Sequence, residues 1–410
     1  MRLSVKQLDT LVGYLESTPD RGIVFRYDEA YLGSRGAHPL SHSLPLREKP
    51  FSQTDSMPFF SGLLPDGDQR RRIAAFLHVS ENSAFKLLDA LGGECAGTVS
   101  LLREGDEVES PLAGYDEFGR EDLERLIMDA ERRPLLAPTG GARLSLAGAQ
   151  AKIPLYRRDG RWFLPRGGTP SSHVLKSASP VFPDLAANEF LVMRLAAAIG
   201  LAVPPVELET IGRPTLIVER YDRMRQPDGS VRRIHQEDCC QALGIMPEGK
   251  YEADGGPGFA AISRLLREIC TVPLAGIEAL IDIALFNVLV GNCDAHGKNY
   301  SLLYRGEGTT LAPFYDLVST SVYPELSPML SMRIGGEYRI DCIRAADFDA
   351  FARDIGVKAR VVTERFDALA GNAEKAWTSI LGLEELSPHA RLCELIRSGW
   401  DERLARLRGV

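Results

Sequence analysis

The segment 291-GNCDAHGKNYSLL-303 sets Asp294, His296, Lys298 and Asn299 within six positions, directly after the apolar run 283-IALFNVLV-290. Asp294 and Asn299, with four residues between them, are the pairing that phosphoryl transfer uses. An Asp takes or orients the proton of the acceptor hydroxyl, and an Asn on the same turn gives an oxygen to Mg²⁺. Further on, 313-PFYDLVS-319 brings Asp316 after an apolar strand end, where a second carboxylate would complete a metal clamp. Magnesium takes few protein oxygens and fills the rest of its shell with phosphate and water, so two ligands suffice. Singly, Asp294 and Asn299 read as turn caps and Asp316 as a helix cap. Together, in this order, they read as a site. Polar groups beside a buried helix are costly unless satisfied, so the loop needs a structured role. Lys298 is suited to hold a transferred phosphate and His296 to orient the loop, although ordinary loop hydrogen bonding fits either.

A kinase also needs a strand lysine, a nucleotide hinge and a loop over the phosphates. Lys176 ends the apolar run 173-HVLK-176, and Glu189 follows on a predicted helix as a candidate ion-pair partner. The segment 215-TLIVERYDR-223 fits a strand running into a hinge. There the backbone of Glu219 and Tyr221 would bond adenine and the Tyr221 ring would cover it; a strand end with a solvated charge cluster fits equally. The loop 145-SLAGAQAK-152 is neither G-x-x-x-x-G-K-[ST] nor G-x-G-x-x-G. It does set small residues, Ala147, Gly148 and Ala149, where backbone N–H groups can approach phosphate, with Gln150 and Lys152 nearby. A hairpin with a small-residue kink accounts for it as well.

The elements that must carry these groups follow from pattern. Residues 23–28 read as a strand and residues 37–46 as an irregular edge, because proline cannot donate to a ladder. Helices are expected from about 68 to 77 and from an N-cap at Ser80 to Gly92-Gly93. A strand follows at 98–102, then a helix carrying Leu123, Leu126 and Ile127, then a break at 137-APTGG-141. Residues 144–165 predict a hairpin turning at Asp159-Gly160. A strand at 173–176, a helix over 184–199 closed by Gly200, and strands at 206–211 and 215–219 around Gly212-Arg213 complete this part. From His235 onward the chain reads as mostly helical, apart from short strands near 300–304 and 310–313. Three amphipathic helices fill the C-terminal part. The fold class expected is α+β. The segments expected are an N-terminal α+β subdomain (1–105), a connector (106–140), a sheet-rich lobe (141–225) and a helical lobe with the catalytic and metal-binding loops (226–410).

Composition bounds the function. The chain has 410 residues, enough for two or three domains, with 44% hydrophobic and 25% charged residues. A net charge of −8 argues against a large nucleic-acid surface of its own, and 69-QRRR-72 reads first as a solvated helix start. Seven cysteines, at 95, 239, 240, 270, 293, 342 and 393, form no CxxC pair and fit reduced thiols in a cytoplasm. No signal-peptide core opens the chain, and no window is expected to approach a membrane span in length and apolar character. Asp294-x-His296 raises a metal hydrolase, but the seven histidines, at 38, 42, 78, 173, 235, 296 and 389, lack ligand spacing.

The blocks SLAGAQAK, HVLK, VERYDR, HQEDCCQALG (235–244), KYEADGGPG (250–258), GNCDAHGKNYSLL and PFYDLVS closely resemble, in this order, the HipA-type serine/threonine kinase toxins. The likeness reaches the N-terminal part through 59-FFSGLLPDGDQR-70. It implies a two-lobed protein-kinase-like fold with an extra N-terminal subdomain. It implies Asp294 as catalytic base, Asn299 and Asp316 on Mg²⁺, and an ATP site formed by Ala147, Gly148, Ala149, Gln150, Ala151, Lys152, Lys176, Glu219, Arg220, Tyr221, His296, Gly297, Lys298, Asn299 and Tyr315, with Asp316 at its metal. Ser145 matches the family's autophosphorylation site, where a phosphate would exclude those of ATP and switch the kinase off. Implied targets include an aminoacyl-tRNA synthetase, typically glutamyl-tRNA synthetase, whose phosphorylation arrests growth. The implied partner is a HipB-like helix-turn-helix antitoxin that makes most of the contact with operator DNA. Cys293 before the catalytic Asp and the glycine-poor 147–149 depart from kinase loops. Two alternatives compete: a small-molecule kinase of the aminoglycoside-phosphotransferase type, which shares Asp-x₄-Asn, and a non-catalytic scaffold that binds antitoxin and operator.

Overall fold

A computed structural model describes every residue except 21, 94, 104–113, 130–151, 167, 178–180, 307 and 410. The break at 137–141 and the small-residue loop from Ser145 to Ala151 therefore lie outside the described residues. The chain divides into two compact units. One contains Met1–Lys176, Ile211–Arg213 and Glu219–Glu248; the other contains Ser177–Thr210, Pro214–Val218 and Gly249–Val410.

In the first unit, an antiparallel sheet runs Ile23–Tyr27, Thr10–Ser17, Arg2–Gln7, Val99–Arg103. Alternation of buried Leu3 and Val5 with half-exposed neighbours in the strand Arg2–Gln7 turns one face to the core. That face meets Phe51, Phe59 and Phe60 around Phe25. The hairpin made by Arg2–Gln7 and Thr10–Ser17 was not foreseen, nor was the helix Gln53–Gly62, which holds Pro58 in its interior. The Ser52–Asp55 capping box starts that helix. The helix expected from Ser80 starts instead at Ala84. The Ser80 hydroxyl accepts from the Asn82 amide (3.3 Å) and so makes a turn.

Also in the first unit, Tyr115–Phe118, Arg161–Pro165, Lys152–Arg158 and His173–Ser177 lie side by side and antiparallel. The expected turn sits between the two middle strands. Asp159 (φ 51°) and Gly160 (φ 73°) both take positive φ, as a two-residue type I′ turn demands.

The second unit is built around the helix Pro273–Val290, which packs against Phe259–Ile269, Ala359–Leu381 and Ala390–Arg408. Its mean hydropathy of 1.8 over 18 residues makes it long and apolar enough to cross a membrane, contrary to expectation. It is apolar on all sides because helices surround it: Phe286 lies against Trp400, which meets Trp377. The three C-terminal helices appear as Asp347–Asp354, Ala359–Leu381 and Ala390–Arg408. The hairpin Ser301–Arg305 with Gly308–Leu311 matches the expected short strands. The strands His235–Asp238, Met329–Ile334 and Glu337–Arg339 replace part of what was read as helix. Runs this short carry too few residues to show a period of two.

Candidate active site

Pro273 occupies the first turn of the central helix, where its missing N–H costs nothing. Gly291 ends the helix at φ 81°, and a β-carbon there would collide with the Ser321 hydroxyl. The amides of Gly291 and Asn292 return to the Asn287 carbonyl (3.0 and 2.8 Å). From there a web of hydrogen bonds holds the loop. Asn292 Nδ2 donates to Asn287 Oδ1 (3.0 Å), Asn287 Nδ2 to the Tyr300 hydroxyl (3.3 Å), and the Asp294 amide to Asn292 Oδ1 (3.1 Å). The Cys293 amide donates to Thr320 Oγ1 (2.8 Å), and its carbonyl accepts from the amide and hydroxyl of Ser331 (2.9 and 2.8 Å). The turn Gly297–Asn299 closes with the Asn299 amide on the His296 carbonyl (2.9 Å). Tyr315 donates its hydroxyl to the Lys298 carbonyl (2.6 Å) and meets Ser301 Oγ (2.7 Å). The backbone is thus fixed before any ligand arrives.

Asp294 keeps an exposed face while protein surrounds its other sides, the position of a carboxylate in a cleft. Burial pushes its carboxyl above the ordinary value. The Lys250 ammonium and the Tyr251 hydroxyl pull the other way, and the negative charge of Asp316 adds to the rise. The two carboxylates predicted to work together are therefore near enough to repel. Asp316 has φ 55°, a left-handed backbone that a non-glycine residue adopts only when its surroundings impose it. His296 is buried. Burial and the charges of Lys250 and Lys298 hold it well below its usual range, so the imidazole is neutral. Among the described residues, nothing bonds Nδ1 of His296 or Oδ1 of Asn299, both shut away from solvent. An orphaned carbonyl oxygen on the same loop as a carboxylate that a second carboxylate repels is what a hard cation would satisfy, so Asn299 and Asp316 fit a magnesium ion. No group of three or more His, Cys, Asp and Glu side chains at metal-binding distance occurs among the described residues. A metal would therefore depend on oxygens that its substrate brings.

The second unit thus gathers Asp294, His296, Gly297, Lys298, Asn299, Tyr315 and Asp316. Lys152, Lys176, Glu219, Arg220 and Tyr221 belong to the first unit. There Lys152 and Lys176 stand directly opposite in adjacent strands, which puts both side chains on one sheet face. The side chain of Arg220 is committed to Asp222 (2.9 and 2.8 Å) and Ser171 (2.9 Å), and its amide donates to the Ser172 carbonyl (2.9 Å). The Tyr221 hydroxyl donates to Gln236 Oε1. Glu189 is buried on the helix Leu185–Ala198. Lys250, Tyr251, Asn287 and Asn292 were missed as site residues. Asn292, two before Asp294, and the block 250–258 that opens with Lys250 and Tyr251 were the visible signals.

A family model described as HipA-like C-terminal domain matches residues 144–377, and one described as HipA N-terminal domain matches residues 3–102. The chain belongs to the HipA family. The putative kinase Y4mE of Sinorhizobium fredii is 46% identical over 379 residues, 90% of each chain. The serine/threonine-protein kinase toxin HipA of Shewanella oneidensis is 32% identical over 355 residues, covering 84% of this chain and 81% of that one. A solved complex of Shewanella oneidensis HipA with HipB and operator DNA superposes with a TM-score of 0.85 at 28% identity, over 99% of this chain and 97% of that chain. The HipA fold is protein-kinase-like, and this α+β chain shares it. Its relatives place it with the kinases.

Proposed function

We propose that this HipA-family chain is an ATP- and Mg²⁺-dependent serine/threonine protein kinase that acts as the toxin of a toxin–antitoxin pair. The observation that carries the proposal is the fixed loop that sets Asp294 near Asp316 while leaving Asn299 Oδ1 without a partner. Asp294 accepts the proton of a serine or threonine hydroxyl as that oxygen attacks the γ-phosphorus, while the bond from phosphorus to the β,γ-bridging oxygen breaks and ADP leaves. The raised carboxyl makes it a better acceptor, and its exposed face leaves room for a protein substrate. Asn299 and Asp316 hold the magnesium, which when bound neutralises phosphate charge. Lys176, with Lys152 opposite, bonds the ATP phosphates. Neutral His296 donates or accepts beside them without adding charge.

The off-switch is phosphorylation of Ser145, and Ala147 to Ala151 belong to the ATP site. The hinge uses the backbone of Glu219 and Tyr221; the side chain of Arg220 serves the fold instead. The target is a translation factor of the aminoacyl-tRNA synthetase kind, glutamyl-tRNA synthetase being the expected one, met in the cytoplasm. A HipB-like antitoxin is the partner and carries the DNA contact, a reading supported by the HipA–HipB–operator complex that this chain resembles.

The test compares phosphopeptides from cells expressing wild-type protein with those from cells expressing Asp294→Asn. Loss of one set of phosphoserine or phosphothreonine sites together with growth arrest is expected, with self-labelling falling at least about a thousandfold in Asp294→Asn and Asp316→Asn. Equal self-labelling by either variant would sink the assignment. A phosphorylated metabolite without phosphoprotein would favour the small-molecule kinase, and no stabilisation by Mg-ATP the scaffold.

A further inference from the structure

The block 250–258 supplies none of the phosphoryl-transfer groups, yet the fold lays it against Asp294. The Lys250 carbonyl accepts from the Gly297 amide (3.2 Å), and the Tyr251 hydroxyl donates to Asp294 Oδ1 (3.0 Å). The Tyr251 ring meets His296 edge to face, with centroids 5.4 Å apart at 76°. Glu252 anchors the block by accepting from the Arg333 amide (2.8 Å) and pairing with its guanidinium (3.2 Å).

The block is a closed, rigid turn. The amides of Asp254 and Gly256 both return to the Tyr251 carbonyl (3.0 and 2.8 Å). Gly255 takes φ 89°, and a β-carbon on Gly256 would strike the Gly249 carbonyl oxygen. The two glycines are therefore needed for the chain to fold back and present Tyr251 at this spot. A rigid backbone and a ring packed on a buried imidazole leave the hydroxyl one place to be.

We propose that Tyr251 is a positioning residue for the proton-accepting carboxylate: by holding Oδ1 of Asp294 it fixes the carboxylate plane and leaves Oδ2 to face the acceptor hydroxyl. The proposal rests on the reading of Asp294 as proton acceptor. A carboxylate free to rotate about its last torsion spends much of its time misaligned, and proton transfer depends on that alignment. Tyr251 touches Asp294 through its hydroxyl and acts on the reaction only through it.

The test is steady-state kinetics of the full chain with Tyr251→Phe, which keeps the ring on His296 and removes the hydroxyl. The expected result is a fall in kcat on the order of tenfold, with the KM for ATP and the melting temperature unchanged. Unchanged kcat overturns the proposal and leaves the kinase assignment standing. A joint shift of kcat, KM and melting temperature overturns it in favour of a structural role. A phosphate found on Tyr251 by mass spectrometry overturns it too, since the hydroxyl would then be an acceptor. If the wild type transfers no phosphate while Mg-ATP fails to stabilise it, the kinase reading itself falls and the proposal falls with it.

Discussion

Two carboxylate sites in this molecule are built in opposite ways. In the first unit, Asp222 accepts four hydrogen bonds, from Arg220 Nε and Nη2, Arg223 Nη1 and the Gly97 amide (2.9, 2.8, 2.8 and 2.8 Å). Burial alone would raise its carboxyl, but the two guanidinium groups overturn that and hold it well below the usual carboxylate range. In the second unit, Asp294 receives the Tyr251 hydroxyl on one oxygen and faces a like charge in Asp316, and its loop also carries an Asn299 oxygen and a His296 nitrogen that nothing bonds among the described residues. Charge balanced within the protein makes a structural joint. Charge and polarity left open make a place for a ligand, because unmet buried groups are tolerated only where something else meets them.

The strongest way to break this contrast is to remove Asp222. Asp222→Ala removes the carboxylate that two buried guanidinium groups share and should cost about 3–5 kcal/mol in urea unfolding. A loss below about 1 kcal/mol would mean that the cluster is not the joint described here.

His235, buried in the same unit, offers a pH test. Its Nε2 lies 2.9 Å from the Leu40 carbonyl, so that nitrogen donates, and Nδ1 accepts from Thr98 (3.0 Å). The neutral ring satisfies both. Burial lowers it to about 4, against a small opposing effect of the Leu40 carbonyl. The unfolded state therefore binds this proton first. Stability is complete above about pH 6.5 and falls toward pH 4, by about 3 kcal/mol in all. His235→Gln should flatten that slope in unfolding curves taken across the window.

On the open side, Asn299→Leu should lower phosphoryl transfer on the order of a hundredfold. The folding free energy should move by less than about 1 kcal/mol, since an unbonded buried oxygen is removed. Marked destabilisation would place Asn299 with Asp222, as a structural residue.

Local signals reported local structure well. Asp159-Gly160 gave the hairpin because both positions need positive φ, and Gly200 gave the end of the helix Leu185–Ala198 for the same reason. Where two signals conflicted, the pattern misled. Pro58 hid a helix that the Ser52–Asp55 box starts and the Phe59–Phe60 pair buries. Ser80 looked like an N-cap, but its hydroxyl serves a turn. The central helix is apolar enough for a membrane, and only its neighbours show it to be a core.

By itself the sequence determined which groups are proposed to do the chemistry and in what order they come, since Asp294, Asn299 and Asp316 are a matter of residue type and spacing along one stretch. Only the tertiary structure decided what surrounds them. Tyr251 reaches Asp294 from 43 positions earlier, Lys152 faces Lys176 through strand register, and Asn299 is left with an unbonded oxygen. These are distances through space, and hydrogen bonding and charge act through space, so no pattern along the chain records them.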